Sequence, residues 1–361
     1  MKAYHIGVDM HKRDSQIGVI DGKGRKLETR KLSNDPEALR DYLSAFPKGT
    51  PVTLEATTGY EWMCDLLTEM EFQVLLANPR KVRLIAESTI KTDTIDAWTL
   101  AQLERVNFLP TAYLPPEEIR ATRELLRHRL TLVCFRKGVK NRIHAVLTKR
   151  GVLSYPVKDL FGKAGREFLS SLDLPPVYRM EVDSYLALID QINVFIAQRE
   201  RDIKKQVTQE NPDAQLLMTI PGIASFSALL LVSEIGTISR FATVRKLISY
   251  AGLTSTLRES SNISHQGHLK KDSNKYIRWI LIEAVTTAIK HDPGLYAFYR
   301  KILVRKGKLK ARVAVAHKLL IAIYFMLKQQ KPYHPKSLYG KSSRVSPYSL
   351  SGHRSSGRPL E

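Results

Sequence analysis

The order of elements predicted for the first 106 residues limits the folds that this chain can adopt. Three apolar runs, each bounded by turn residues, predict a meander of strands at residues 4–9, 15–21 and 26–32. The elements predicted after the meander are a helix that starts near residue 35, a strand at 51–56, a helix at 59–70, a strand at 73–77, and helices near 79–87 and 94–106. Three antiparallel strands followed by alternating helices and strands predict an α/β domain.

This element order is that of a ribonuclease-H-like (RuvC-like) fold. In that fold an Asp on the first strand, a Glu on the fourth strand and an acidic pair on a later helix meet at one edge of the sheet. Asp9 ends the first predicted strand, Glu55 ends the fourth, and Asp93 and Asp96 lie one turn apart on a predicted helix. We therefore expect these four carboxylates to lie close together.

Four clustered carboxylates indicate a site for divalent cations. Like charges on one helix face repel each other unless a cation lies between them, and Mg²⁺ prefers oxygen ligands. The expected site holds two Mg²⁺ ions about 3.5–4 Å apart, which is the arrangement that cleaves phosphodiesters. The alternative for each carboxylate alone is a helix cap or a solvated surface residue.

The net charge points to a polyanionic partner. The chain of 361 residues is long enough for two or three domains, and its 57 Lys and Arg against 35 Asp and Glu give a formal charge of +22. No apolar run approaches the roughly 18–20 residues of a membrane-spanning helix. No signal peptide is visible, and Cys64 and Cys134 fit a reducing compartment. These features predict a cytoplasmic protein that binds nucleic acid.

Two long helices are predicted in the middle of the chain. Apolar residues recur every seventh position across residues 119–147, and a second apolar stripe runs through residues 178–207. Such helices would pair as an antiparallel coiled coil or meet partner subunits. Residues 120–150 contain ten Lys or Arg and one acidic residue, so this face is expected to contact phosphates rather than only to aid solubility. The candidates are Arg127, Arg136, Lys137, Lys140 and Arg142.

The C-terminal third is predicted to be mostly helical. The Pro221-Gly222 turn between two apolar helices favours a helix-hairpin-helix-like element that holds phosphate, with an ordinary turn between helices as the alternative. A serine-rich loop at 251–262 is followed by Lys270 and Lys271. Residues 300–331 contain ten Lys or Arg and no acid, and the tail from residue 332 is expected to be disordered. The further candidates for contact with nucleic acid are Lys270, Lys271, Arg305, Lys306, Lys308, Lys310 and Arg312.

Six motifs together resemble the insertion-sequence transposases of the one-ten family. In chain order they are GVDMHK, LEATTGY, KTDTIDAWTLA, IPGIASFSALLLVSEIG, SYAGLTSTLRESS and KYIRWILIEA, and the likeness covers about residues 3–330. These proteins are also called DEDD transposases and bridge-RNA-guided recombinases. The resemblance implies a RuvC-like domain at 1–112, a coiled-coil region at 113–208, a transposase domain at 209–331 and a basic tail at 332–361.

The resemblance also implies partners and roles. The family's four acids carry over onto Asp9, Glu55, Asp93 and Asp96, and its nucleophilic serine onto Ser260. The implied partners are a structured guide RNA, double-stranded donor and target DNA, and further copies of the chain, as a dimer or as a tetramer in the synaptic complex. The implied location is the bacterial or archaeal cytoplasm, in association with the nucleoid.

Several positions depart from the family pattern. Ser255 stands where proline is usual, Ser261 where glycine is usual, and the Lys270–Ser273 turn lacks its glycine. Ser261 is therefore an alternative nucleophile. Three functions stay open from the sequence: an RNA-guided DNA recombinase that forms a covalent serine–DNA intermediate, a RuvC-type junction-resolving nuclease without that intermediate, and a non-enzymatic RNA-binding scaffold.

Overall fold

The structure, a computed structural model, describes residues 4–85, 92–260, 263–269 and 273–335. For residues 255–260 and 263–269 it describes the backbone alone. The chain divides into two compact units, Met1–Pro115 and Pro116–Glu361, and each is described by itself. The predicted division of residues 113–331 into two domains stays a prediction.

The first unit is built on a five-stranded mixed sheet. The strands are β1 (Tyr4–Met10), β2 (Asp14–Asp21), β3 (Lys26–Ser33), β4 (Pro51–Glu55) and β5 (Gln73–Ala77). Their order across the sheet is β3-β2-β1-β4-β5. The first three strands pair antiparallel, as the meander prediction requires, whereas β1, β4 and β5 pair parallel. Parallel strands buried on both faces account for the continuous apolar runs of β1 and β4.

In the described part of this unit the helices are α1 (Pro36–Leu43), α2 (Tyr60–Glu69), α3 (Pro79–Ile85) and α4 (Asp93–Arg105). Asp35 caps α1 by accepting a hydrogen bond from the Ala38 amide, and a proline occupies the first helical position. Apolar residues of α1 and α2 pack with Ile6 and Val8 on one face of the sheet. Helix α4 packs on β1 and β2.

The second unit begins with two long helices, α5 (Glu117–Lys149) and α7 (Pro176–Glu210), joined through the short helix α6 (Lys163–Ser171). The two long helices run antiparallel, because residues later in α5 contact residues earlier in α7. These contacts are Thr122 with Gln206, Arg129 with Glu200, and Arg136 with Asn193. The predicted long helices are thus present and lie against each other.

The rest of the second unit is mostly helical. Its helices are α8 (Pro212–Leu217), α9 (Ser225–Ile235), α10 (Val244–Tyr250), α11 (Lys275–His291), α12 (Pro293–Lys306) and α13 (Lys308–Gln329). One apolar core joins α9, α11 and α13 to Leu126 of α5 and to Ile203 and Val207 of α7. Among the described residues, no helix is long and apolar enough to cross a membrane.

One local expectation in this unit was wrong. β6 (Ser255–Ser260) and β7 (Ile263–Leu269) pair antiparallel as a hairpin, whereas the serine-rich composition predicted a loop. The basic segment from residue 300 covers the end of α12 and the whole of α13, and Gly307 separates the two helices. Gly307 has φ +80° and ψ 169°, a conformation outside the helical regions that glycine adopts readily.

Candidate active site

Asp9 and Glu55 lie at the same level of the sheet. The parallel pairing of β1 with β4 aligns Gly7 with Thr53 and Val8 with Leu54, so the next residues of the two strands, Asp9 and Glu55, lie side by side. Glu55 is the last residue of β4 and Asp9 is the last but one of β1. Side chains alternate between the two faces of a strand, so both carboxylates belong to the face that carries Gly7 and Thr53. Helix α4 covers that face.

Glycines let α4 approach the sheet closely. A Cβ atom at Gly7 would overlap the carbonyl oxygen of Ala97 and come within 2.9 Å of the Ala101 nitrogen. A Cβ atom at Gly18 would lie 2.7 Å from the Trp98 ring. Residues 93, 97 and 101 recur every fourth position and share one helix face. Asp93 therefore lies on the face of α4 that packs on β1, near the end of β1 that carries Asp9.

Asp96 lies on the neighbouring face of α4. Leu100 and Leu103 lie on the same face of α4 as Asp96, and they pack with Ala77, the last residue of β5. Ala77 pairs in register with Glu55. Asp96 is thus on the side of α4 that faces β4 and β5, and it lies in the same first helical turn as Asp93. Thr92 caps this turn by accepting a hydrogen bond from the Ile95 amide.

His11 joins Asp9 to Asp93. Its Nε2 atom lies 3.4 Å from Asp9 Oδ2 and 3.2 Å from Asp93 Oδ2. One donor atom from each of these three residues falls within 4.8 Å of the others, and among the described residues Glu55 and Asp96 are not part of this triad. His11 was not among the site residues predicted from the sequence. One signal for it was available: His11 is two residues after Asp9, and residues two apart in an extended chain lie on the same face.

The triad fits a divalent cation. Carboxylate oxygens bind hard cations such as Mg²⁺, and imidazole nitrogen is a common ligand for transition metals. Asp93 and His11 have about half of their side-chain surface exposed, whereas Asp9 is 18% exposed. An ion at this place would therefore have one anchored ligand and an open side for water or a phosphate oxygen.

The predicted nucleophile lies in the second unit. Ser260 is the last residue of β6 and pairs with Ile263, so its backbone is at the tip of the hairpin. Ser261, Lys270 and Lys271 lie outside the described residues. The hairpin places Ser260 on a defined element, while its role stays a prediction.

A buried polar network holds the base of this hairpin. The Asn274 amide donates to the Tyr250 carbonyl oxygen at 2.7 Å, which joins the chain before the hairpin to the chain after it. The Asn274 side chain caps α11 and donates to Glu234 Oε2 at 2.7 Å. Glu234 is 1% exposed and also accepts from Arg127 at 3.2 Å, with Arg123 at 3.7 Å. Glu234 and Asn274 were not predicted from the sequence, because their partners lie far from them along the chain.

The candidate basic residues of α5 differ in their surroundings. Burial lowers the pKa of Arg127, but the combined effect of Glu234, Tyr276 and Glu124 is larger, so its pKa lies above the ordinary value. Arg136 donates to Asn193, and the Lys140 ammonium lies over the Phe161 ring. Both Arg127 and Arg136 thus have partners within the protein. The exposed candidates on this helix are Lys137 and Arg142.

The candidates near Gly307 are mostly exposed. Arg312 is partly buried and donates to the Ile282 carbonyl oxygen at 3.0 Å. The four other side chains are exposed, namely Arg305, Lys306, Lys308 and Lys310. They form a positive surface around the break between α12 and α13.

Two family models match the chain. A model described as a transposase, of the DEDD type of IS110 elements, matches residues 6–150. A second model, described as a transposase of the IS116/IS110/IS902 family, matches residues 214–300. The first match includes every residue of the triad and of the acidic tetrad, and the second includes the serine hairpin. These matches place the chain in the class of DNA transposases and recombinases.

Individual relatives agree with this class. The chain is 25% identical over 347 residues to the transposase for insertion sequence element IS1111A of Coxiella burnetii, which covers 91% of this chain and 90% of that protein. It is 26% identical over 283 residues to the IS1328 transposase of Yersinia enterocolitica, covering 77% and 81%. A pilin gene-inverting protein of Moraxella bovis is 32% identical over 127 residues, covering 34% and 39%. The chain belongs to the IS110 (one-ten) family of transposases, and membership of a DEDD family implies dependence on a divalent metal.

Proposed function

We propose that the protein is an RNA-guided DNA recombinase that cuts and rejoins donor and target DNA. The observation that carries the proposal is the meeting of Asp9 and Asp93, from a strand end and a helix start, at one edge of the sheet. Glu55 ends the adjacent strand in register, and Asp96 lies in the same helical turn as Asp93. Family membership supplies the link from this site to transposition.

The strand order supports a RuvC-like domain. An antiparallel β3-β2-β1 meander continued by parallel β4 and β5 brings the ends of the central strands β1 and β4 together, and acidic residues occupy both ends. Asp9, Glu55, Asp93 and Asp96 would hold Mg²⁺, with two ions as the expected number. The metal would polarise the scissile phosphate and stabilise the oxygen that leaves. The half-exposed Asp93 leaves room for that phosphate.

Ser260 is proposed as the nucleophile. Its hydroxyl oxygen would form an ester bond to the scissile phosphorus, and the bond from that phosphorus to a deoxyribose oxygen would break. The serine proton is lost to a base or water, and the departing oxygen leaves as a free hydroxyl. Attack by a hydroxyl of the other DNA on the phosphoserine would then rejoin the strands and restore the serine. No net hydrolysis occurs.

The acids and the serine lie in different units of the chain, so a composite centre from two subunits is part of the proposal. The antiparallel pairing of α5 and α7 supports a coiled-coil arm through which copies would associate. Their expected assembly is a dimer, with a tetramer in the synaptic complex.

Guide RNA is proposed to choose the DNA sequence. The chain carries a charge of +22, and exposed Lys137, Arg142 and the four basic side chains around Gly307 offer phosphate contacts. Such contacts read the backbone and the shape of RNA rather than its bases. Lys270 and Lys271 are further candidates.

The test uses full-length protein purified with its RNA, and a labelled duplex that carries the genomic DNA on both sides of the coding region. With Mg²⁺, wild-type protein should form a DNA adduct that survives detergent, Ser260→Ala should not, and Ser261→Ala should. An adduct with Ser260→Ala refutes the serine assignment. Nicked DNA without any adduct favours a hydrolytic nuclease, and unchanged cutting after ribonuclease treatment refutes RNA guidance.

A further inference from the structure

We propose that His11 is a nitrogen ligand of the cation bound by Asp9 and Asp93, and that this nitrogen makes the site bind Mn²⁺ in preference to Mg²⁺. The inference rests on the proposed function, since it concerns the same metal site. It adds a residue outside the acidic tetrad and a different donor chemistry.

The distances match those between neighbouring ligands. An octahedral ion with bonds of about 2.1 Å has adjacent donor atoms about 3.0 Å apart. His11 Nε2 lies 3.4 Å from Asp9 Oδ2 and 3.2 Å from Asp93 Oδ2. Charge-assisted hydrogen bonds between nitrogen and carboxylate are shorter, about 2.7–2.9 Å. Both contacts are longer than such hydrogen bonds, and a single nitrogen atom faces both carboxylates.

The backbone fixes His11 in this place. The His11 amide donates to the Asp14 carbonyl oxygen at 2.9 Å, and the His11 carbonyl oxygen accepts from the Asn34 side chain at 2.7 Å. Asn34 in turn accepts a hydrogen bond from the Ser15 hydroxyl at 2.6 Å. The turn between β1 and β2 is therefore held from both sides. A ligand fixed in this way loses little conformational freedom when the ion binds.

Nitrogen in the donor set changes metal preference. Carboxylates and water suit Mg²⁺, whereas imidazole binds transition metals, and the affinity of mixed nitrogen and oxygen sites rises from Mn²⁺ along the first row. Mn²⁺ binds in the same octahedral oxygen sites as Mg²⁺, but a nitrogen ligand raises the affinity for Mn²⁺ more than the affinity for Mg²⁺. We expect His11→Ala to weaken Mn²⁺ binding by about tenfold or more, the scale on which metal sites respond to loss of a supporting group. Mg²⁺ binding should change much less.

The test is pulsed electron paramagnetic resonance on full-length protein freed of nucleic acid and loaded with Mn²⁺. Wild-type protein should show nitrogen modulation of the Mn²⁺ signal, and labelling histidine with ¹⁵N should change that modulation. His11→Ala should lose the modulation while still binding Mn²⁺. His144→Ala, which removes a histidine that contacts Tyr155 on the second unit, is the matched control and should keep it.

The outcomes separate this inference from the proposed function. If wild-type protein binds Mn²⁺ without nitrogen modulation, His11 is not a ligand, and the carboxylate site still stands. The same conclusion follows if the modulation persists in His11→Ala. Mn²⁺ binding that Asp9→Asn leaves unchanged contradicts the metal site itself, and the proposed function fails with it.

Discussion

Replacing Glu234 by glutamine should destabilise the second unit strongly. The Glu234 side chain is 2% exposed and faces Arg127 at 3.2 Å and Arg123 at 3.7 Å, while Asn274 donates to it at 2.7 Å. Glutamine keeps the shape but removes the negative charge. Its amide group would also direct hydrogen atoms toward side chains that are themselves donors.

The magnitude follows from burial. Removal of one partner of a buried ion pair costs about 3–5 kcal/mol, because the remaining charge stays in the interior. Arg123 still donates to the carbonyl oxygens of Ser233 and Glu234, and Arg127 is about one-third exposed, so the lower end of that range applies. We expect a loss of about 3 kcal/mol in the free energy of unfolding.

The assay is urea unfolding of the full-length chain, followed by far-ultraviolet circular dichroism. Glu124→Gln is the matched control, because Glu124 pairs with the same Arg127 at 3.5 Å but is 72% exposed. An exposed pair contributes less than about 1 kcal/mol. If the two variants lose equal stability, the buried network does not hold the base of the hairpin in the way described.

Three other substitutions test the packing and the charge of the fold. Gly7→Ala should cost the first unit about 2–3 kcal/mol in urea unfolding, since the new methyl group overlaps the Ala97 carbonyl, and an unchanged midpoint would contradict the close approach of α4. Gly138→Ala should instead stabilise α5 by roughly 0.5–1 kcal/mol, because nothing lies within 4 Å of the added atom, and a loss of stability would refute this. Burial lowers the pKa of His317 below 6.5, and a hydrogen bond with the Leu253 backbone opposes this shift only in part. The stability that neutral His317 contributes is therefore complete above pH 6.5, and it is lost as the pH falls through the lowered pKa of the folded state. The stability of wild-type protein relative to His317→Gln should therefore fall from pH 8 to pH 5, and a constant difference would show that His317 does not titrate as expected.

The sequence predicted the elements of the first unit and the position of its acidic residues. Alternating and continuous apolar runs identified β1 to β5, and strand ends identified Asp9 and Glu55 as candidates. His11 was missed because the hydrogen bond that fixes its turn comes from Asn34, on the far side of the meander. Local patterns contain no information about such a partner.

Long-range contacts also explain the differences in the second unit. A run of positive charge on α5 predicted that Arg127 contacts phosphate, which stays a prediction, but it did not predict that the guanidinium also binds Glu234, 107 residues further along the chain. Serine-rich composition predicted a loop where β6 and β7 pair as a hairpin. Pairing between strands decides that structure, and composition alone does not record it.

The most direct test of the account is the formation of joined DNA by variants of the acidic site. A plasmid that carries the coding region with its genomic flanks is introduced into cells, and recombined junctions are counted by sequencing. Asp9→Asn and Asp93→Asn should each abolish junctions, while Asp41→Asn, on the exposed surface of α1, should leave their number unchanged. Junctions at the wild-type level with Asp9→Asn, in protein that is still folded and expressed, would contradict the claim that this edge of the sheet is the catalytic centre.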